Sequence, residues 1–140
     1  MQVKNIMSRD LEVVSPQNSL REAAQKMKAL DVGPVPVVEN RRLVGILTDR
    51  DITLRAVAEG KNPLVAKVEE IMTREVISCF EDQEVEEAAR LMGDNQIRRL
   101  MVLDHDKNLV GILSLGDIAT QTGEQALAGE ALEKVSRDEK

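Results

Sequence analysis

Two short stretches pair a hydroxyl with a carboxylate three residues later, Thr48-x-x-Asp51 and Ser114-x-x-Asp117. Each follows a Gly-Ile-Leu run, Gly45-Ile46-Leu47 and Gly111-Ile112-Leu113. At a strand-to-helix junction such a pair sits where unpaired backbone N–H groups and a partial positive charge collect, a setting that suits phosphate. The hydroxyl can donate to a phosphate oxygen, and the carboxylate can accept from hydroxyls of a ligand. The same spacing is also a capping box whose only task is to start a helix. Both readings stand at this level.

Few other residues carry chemistry. The single histidine, His105, falls between Asp104 and Asp106 in an expected hairpin turn, a place for exposure rather than catalysis. Cys79 is the lone cysteine, so no intrachain disulfide or Cys-x-x-Cys pair exists, and its apolar neighbours predict a buried small hydrophobe. No Gly-x-x-x-x-Gly-Lys loop, Gly-x-Gly-x-x-Gly fingerprint or metal-spaced cysteine cluster occurs. Glu69-Glu70 and Glu84 to Glu87 fall on expected solvated helix faces and N-termini. With no nucleophile placed beside a base, the expectation is a protein that is not an enzyme, with no catalytic residues, no metal and no catalytic cofactor.

Composition narrows the partners. Nineteen Lys and Arg against 25 Asp and Glu give a net charge of −6, and Phe80 is the only aromatic residue of the Phe, Tyr, Trp class. A phosphate backbone would be repelled and single-stranded bases would find no stacking platform, so nucleic acid is disfavoured. The 140 residues, 42% of them apolar, suffice for one core or two small halves built from Val, Ile, Leu and Met. No apolar run is long enough to span a bilayer and the first ten residues lack a signal pattern, so a cytoplasmic protein off the membrane is expected.

The elements that position the two boxes come from an internal repeat. A shift of 65 positions lays Val3, Ile6, Met7 and Arg9 on Val68, Ile71, Met72 and Arg74, and Glu22-Ala23-Ala24 on Glu87-Ala88-Ala89. After one inserted turn residue, Leu43 to Leu47 falls on Leu109 to Leu113, and Asp51-Ile52 on Asp117-Ile118. One supersecondary unit is therefore used twice, and two copies related by a pseudo-two-fold are expected.

Within a copy the period and punctuation predict β-α-β-β-α. A short strand spans Leu11 to Val14. The Ser19-x-x-Glu22 box then opens a helix with Leu20, Ala23, Ala24, Met27 and Leu30 on one face. Gly33-Pro34 stops it; Val35 to Val38 and Leu43 to Leu47 form a hairpin turned at Asn40-Arg41; a second helix starts at Thr48. In the second copy Asp82 is the expected N-cap and Asp104 to Asn108 the hairpin turn. Val65 to Met72 matches a short helix at Val3 to Met7. The expected organisation is repeat 1 over 1–62, repeat 2 over 63–123, and a C-terminal tail over 124–140, a helix with a weak stripe at Leu127, Ala131, Leu132 and Val135 that frays.

The doubled Gly-apolar-apolar-(Thr/Ser)-x-x-Asp pattern, with Ile-Met-(Ser/Thr) openings, resembles the CBS domain family, named for cystathionine β-synthase, over roughly Val3 to Thr122. The resemblance implies an α+β fold in which two CBS repeats pack sheets with helices around a central cleft, and a regulatory module that binds an adenine nucleotide there. It implies a homodimer through helical faces and a downstream protein target. By the same resemblance the carboxylate of each box takes both hydroxyls of a ribose.

The copies differ in ways that the resemblance makes informative. Copy one has Val32-Gly33-Pro34-Val35 where copy two has Ile97-Arg98-Arg99-Leu100. The implied first site is Thr48 and Asp51 with Arg98 and Arg99 on the phosphates, Gly33 and Pro34 at the sugar or base, and Val13, Val14, Val35 and Pro36 along an apolar slot. Guanidinium pairs suit phosphate because they stay charged and grip two oxygens at once, although a solvated surface pair is the blander reading. Arg50 and Arg55 either supplement the phosphate field or face water. The implied second site, Ser114 and Asp117 with Leu100, Met101 and Cys79, is expected to be weaker or vacant, since Phe80 and Met101 would partly fill it. The rival reading is a ligand-free interaction scaffold whose boxes only cap helices.

Overall fold

Helix starts in this chain are written in side chains that bond back to the backbone. In the computed structural model, which describes residues 1–121 and 125–137, Ser19 accepts from the Glu22 amide at 3.1 Å while Glu22 accepts from the Ser19 amide at 3.0 Å. This box opens α1 (Leu20–Leu30), whose Leu20, Ala23 and Met27 are buried at helical spacing. The helix ends at Asp31, in the left-handed region at φ 55°, two residues before the expected stop at Gly33. β1 (Val35–Glu39) and β2 (Arg42–Leu47) pair antiparallel through Asn40 and Arg41, both at positive φ, as a two-residue hairpin turn requires.

Beyond β2, Thr48 caps a single α-helical turn, α2 (Asp49–Asp51), that continues as a π-helical stretch over Ile52–Val57. The periodicity predicted an ordinary helix here. The short helix α3 (Val68–Ile71) follows, and Thr73 bridges to Ile46 on β2. The expected first strand is reduced to one parallel bridge, Val14 to Val37. Its counterpart in copy two is a true strand, β3 (Ser78–Phe80), parallel to β4 (Arg99–Leu103), which pairs antiparallel with β5 (Leu109–Ser114). The reason is local: the Glu81 amide donates to the Leu103 carbonyl, whereas the matching position in copy one is Pro16, which has no N–H to extend the ladder.

Helix α4 (Val85–Asp94) starts after Glu84, not at Asp82 as the cap rule suggested. Asp82 instead accepts from the His105 ring at 2.7 Å, while the Met1 ammonium pairs with Glu84 at 2.9 Å. Helices α5 (Leu115–Gln121) and α6 (Gln125–Val135) complete the order. The expected division at Gly123 and Glu124 lies outside the described residues.

Packing groups the chain differently from the repeat. One compact unit is Glu12–Val76; the other joins Met1–Leu11 to Ile77–Lys140. The leading segment therefore packs with copy two, where the Val3 amide donates to the Gln83 carbonyl and Ser8 bridges to Ile112. The α3 segment does the same for copy one. Each unit has its own aliphatic core: Leu20, Met27, Val35, Val37, Leu47, Val68 and Ile71 in the first, and Val3, Met92, Leu100, Val102, Leu113 and Ile118 in the second. Each is an α+β unit, helices packed with a small sheet.

Candidate functional site

Both boxes fold as the sequence rule requires. The Asp51 amide donates to Thr48 Oγ1 and the Thr48 amide to Asp51 Oδ2, each at 3.0 Å. Ser114 and Asp117 repeat both bonds at 3.0 Å. Each carboxylate is thereby fixed by one oxygen at the mouth of a helix, leaving its second oxygen outside the box. In copy one that second oxygen, Asp51 Oδ1, lies 3.8 Å from Arg55 Nε. Arg55 also donates to the Ile71 carbonyl at 3.1 Å, so it braces the helix against α3.

The apolar slot residues of copy one are placed by β1 and its bridge. Val14, Val35 and Pro36 are buried, and Val13 and Pro34 are half-buried. Gly33 is approached by a group the sequence reading did not single out. A Cβ there would stand 3.0 Å from Asp49 Oδ1, so the carboxylate of Asp49 lies directly against this glycine. The signal was available, since Asp is favoured in the first turn of a helix. Arg50 is exposed and lines a shallow hollow of about 230 Å³ with Asp49, Thr53 and Leu54.

In copy two, Arg99 is the cross-strand partner of Ser114, and the Arg98 carbonyl accepts from the Leu115 amide at 3.1 Å. The structure thus brings Arg98, Arg99 and Ser114 together along one cavity within the second unit. Leu100 and Cys79 are packed in that unit's core, and Met101 is buried. Burial pushes the Cys79 thiol up to about 12, which leaves it an inert hydrophobe at neutral pH.

Phe80 does not fill the second pocket. Strand alternation turns Cys79 inward and Phe80 outward, where its ring stacks on His105 with centroids 4.8 Å apart. The hydrogen bond to Asp82 raises the His105 pKa above its ordinary 6.5 and lowers that of Asp82 below 3.8. The sign follows from linkage. The histidine's contribution is complete below its ordinary value and fades as pH rises through the raised one. The aspartate's contribution is present above its ordinary value and fades as pH falls through the lowered one. The loss of melting temperature caused by His105→Ala should therefore be largest near pH 5.5 and shrink toward pH 9. A pH-independent difference in thermal melts would show that the ring stack alone matters.

No described helix is long and apolar enough to cross a membrane, and no three His, Cys, Asp or Glu side chains converge as a metal site among the described residues.

Against known proteins, the family model described as "CBS domain" matches residues 3–57 and 68–122. The chain is 43% identical over 134 residues to the CBS domain-containing protein YhcV of Bacillus subtilis, covering 96% of this chain and 94% of that one. Among solved structures it is similar to CBSX2 in complex with AMP (TM-score 0.74, 28% identity, 89% of this chain and 98% of that one). It is also similar to the CBS domain pair of protein MJ0100 in complex with 5′-methylthioadenosine and S-adenosyl-L-methionine (TM-score 0.72, 34% identity, 88% and 100%).

Proposed function

We propose that this chain, which belongs to the CBS domain family, is a cytoplasmic regulatory module that binds an adenine nucleotide or another adenosyl ligand at its hydroxyl–carboxylate boxes and performs no chemistry on it. The observation that carries this reading is the doubled box itself. Two copies hold a carboxylate at a strand-to-helix junction, each anchored through one oxygen by the backbone amide of the box's own hydroxyl residue. Of the similar solved structures, CBSX2 is in complex with AMP and the CBS domain pair of MJ0100 with 5′-methylthioadenosine and S-adenosyl-L-methionine, which supports the ligand class.

In this reading Thr48 with Asp51 is the stronger clamp, Ser114 with Asp117 the weaker, and Arg98 and Arg99 supply the phosphate contacts. The module signals because the ligand favours one arrangement of the chain over another, and only that difference in affinity can be transmitted to a protein target. Homodimers form through helical faces, where Leu54 and Val57 leave 47% and 65% of their surface exposed.

A thermal-shift panel with AMP, ADP, ATP, NAD and S-adenosylmethionine tests the reading. A ligand at about 100 times its dissociation constant adds roughly 2.7 kcal/mol. At least one member of the panel should raise the melting temperature by several degrees and be recovered unchanged after long incubation. No shift with any of them would leave the boxes as helix caps on an interaction scaffold, and a converted nucleotide would make the protein an enzyme.

A further inference from the structure

One acidic side chain stands beside the first box and has no counterpart beside the second. Asp49 follows Thr48 directly, and its carboxylate lies against Gly33: a Cβ at that glycine would stand 3.0 Å from Oδ1 and 3.3 Å from Cγ and Oδ2. Only a residue without a Cβ leaves this room. Two hydrogen bonds hold Asp49 there. The Arg50 amide donates to its Oδ1 at 3.0 Å, and the Thr53 hydroxyl donates to its carbonyl at 3.0 Å. Among the described residues the Asp49 carboxylate forms no ion pair, whereas that of Asp51 has Arg55 at 3.8 Å.

The second copy shows what this position faces. Leu115, the counterpart of Asp49, lines a cavity of about 550 Å³ with Ser114 of the box and with Arg98, the counterpart of Gly33; α6 forms another wall through Ala128, Gly129 and Leu132. A ligand at a box therefore faces the residue that follows the hydroxyl. Copy two offers an apolar side chain there. Copy one offers a carboxylate, flanked by glycine and proline, with Arg50 exposed on the same turn. The hydroxyl and carboxylate of the two boxes are alike, but the charge beside them is not.

We propose that Asp49 is a specificity-determining residue of the first box, selecting adenosyl ligands whose 5′ group is uncharged, cationic or a single phosphate over those that carry a polyphosphate. This selection rests on the adenosyl ligand proposed above and adds its charge class. Discrimination of this kind needs no new contact to the favoured ligand, only a like charge that the disfavoured one cannot avoid. ATP carries about two more negative charges than AMP, and each, held about 8 Å from a carboxylate in a partly hydrated site at low ionic strength, costs a factor of about four.

The test is titration calorimetry with 5′-methylthioadenosine, AMP and ATP, at low salt and without divalent cations, on the full chain carrying Asp117→Ala so that the first box alone reports. In that background ATP should bind about tenfold more weakly than AMP, and adding Asp49→Asn should tighten ATP about tenfold more than AMP while leaving 5′-methylthioadenosine within about twofold. Asparagine keeps the shape and the acceptor for the Arg50 amide, so a change common to every ligand would mark a merely structural role. ATP bound as tightly as AMP before the substitution, or equal changes for all three ligands after it, overturns the proposal. If binding vanishes with Asp117→Ala alone, or survives the further change Asp51→Ala, the ligand is not on the first box and the proposal falls. If none of the three binds the wild-type chain, the adenosyl reading falls and the selection by Asp49 with it. If they bind the first box and the ratio of ATP to AMP affinity ignores Asp49→Asn, the adenosyl reading stands and Asp49 has no part in it.

Discussion

Asp51→Ala is expected to weaken binding of AMP about 100-fold, whereas Asp117→Ala leaves most of the tight binding intact. Two hydroxyl-to-carboxylate hydrogen bonds, each worth about 1.5–3 kcal/mol because the acceptor is charged, more than account for the ~2.7 kcal/mol that 100-fold represents. The substitution also removes the acceptor for the Thr48 amide, so a loss of about 1 kcal/mol in folding stability accompanies it. Asp51→Asn separates the two effects, since its amide oxygen can still accept from Thr48 while the charged grip on the ribose is gone. It should fold nearly as well as wild type and bind poorly. Titration calorimetry on the three variants reads the binding, and urea unfolding reads the stability. The reverse ranking, with Asp117→Ala the more damaging, would place the principal site on the second repeat.

The second large effect concerns folding. Gly45→Val should destabilise the first unit by about 3 kcal/mol, measured by urea unfolding, and Gly111→Val should do the same to the second. Any Cβ on Gly45 would stand 2.9 Å from the Thr73 carbonyl oxygen and 2.8 Å from Met72 Sδ. The backbone contact cannot yield easily, because Thr73 exchanges hydrogen bonds with Ile46 at 2.8 and 2.9 Å. On Gly111 the added carbon meets the Met7 side chain and the Ser8 carbonyl, at 3.0 Å from the latter. The glycine that opens each Gly-Ile-Leu run is thus a packing requirement: a crossing segment lies flat on the strand there. Wild-type stability in both variants would show that these segments lift off at little cost.

Those crossings also mark where the fold stopped being legible in the sequence. The repeat, the capping boxes at Ser19, Thr48 and Ser114, and the Asn40-Arg41 turn were readable because each depends on residues within a few positions of one another. The partner of the leading segment was not. Val3, Ile6 and Met7 are nearly interchangeable with Val68, Ile71 and Met72 in apolar character, so nothing local shows that the first trio belongs with copy two. Asp82 looked like a helix cap because its alternative partner, His105, comes from a turn 23 residues away. The π-helical stretch over Ile52–Val57 has no signature in the apolar pattern.

The candidate site divides along the same line. Thr48, Asp51, Ser114 and Asp117 were found through spacing and behave as the spacing requires. Asp49 was passed over as an ordinary first-turn acid, and its position against Gly33 emerges only when the helix start is folded back beside the end of α1. The contribution of α6 to a cavity beside Ser114 was hidden for a different reason. The helix lies outside the repeat, and its small residues, Ala128, Gly129 and Ala131, resemble a weakly amphipathic tail until the face of α4 that receives them, Ala89 and Gly93, is seen.

The central claim, that the boxes hold an adenosyl ligand, is tested most directly by titration calorimetry of the full chain with AMP, alongside the Asp51→Ala/Asp117→Ala double variant. The account predicts saturable binding to the wild type that disappears in a double variant still folded by circular dichroism. Binding of equal strength to both proteins would contradict it.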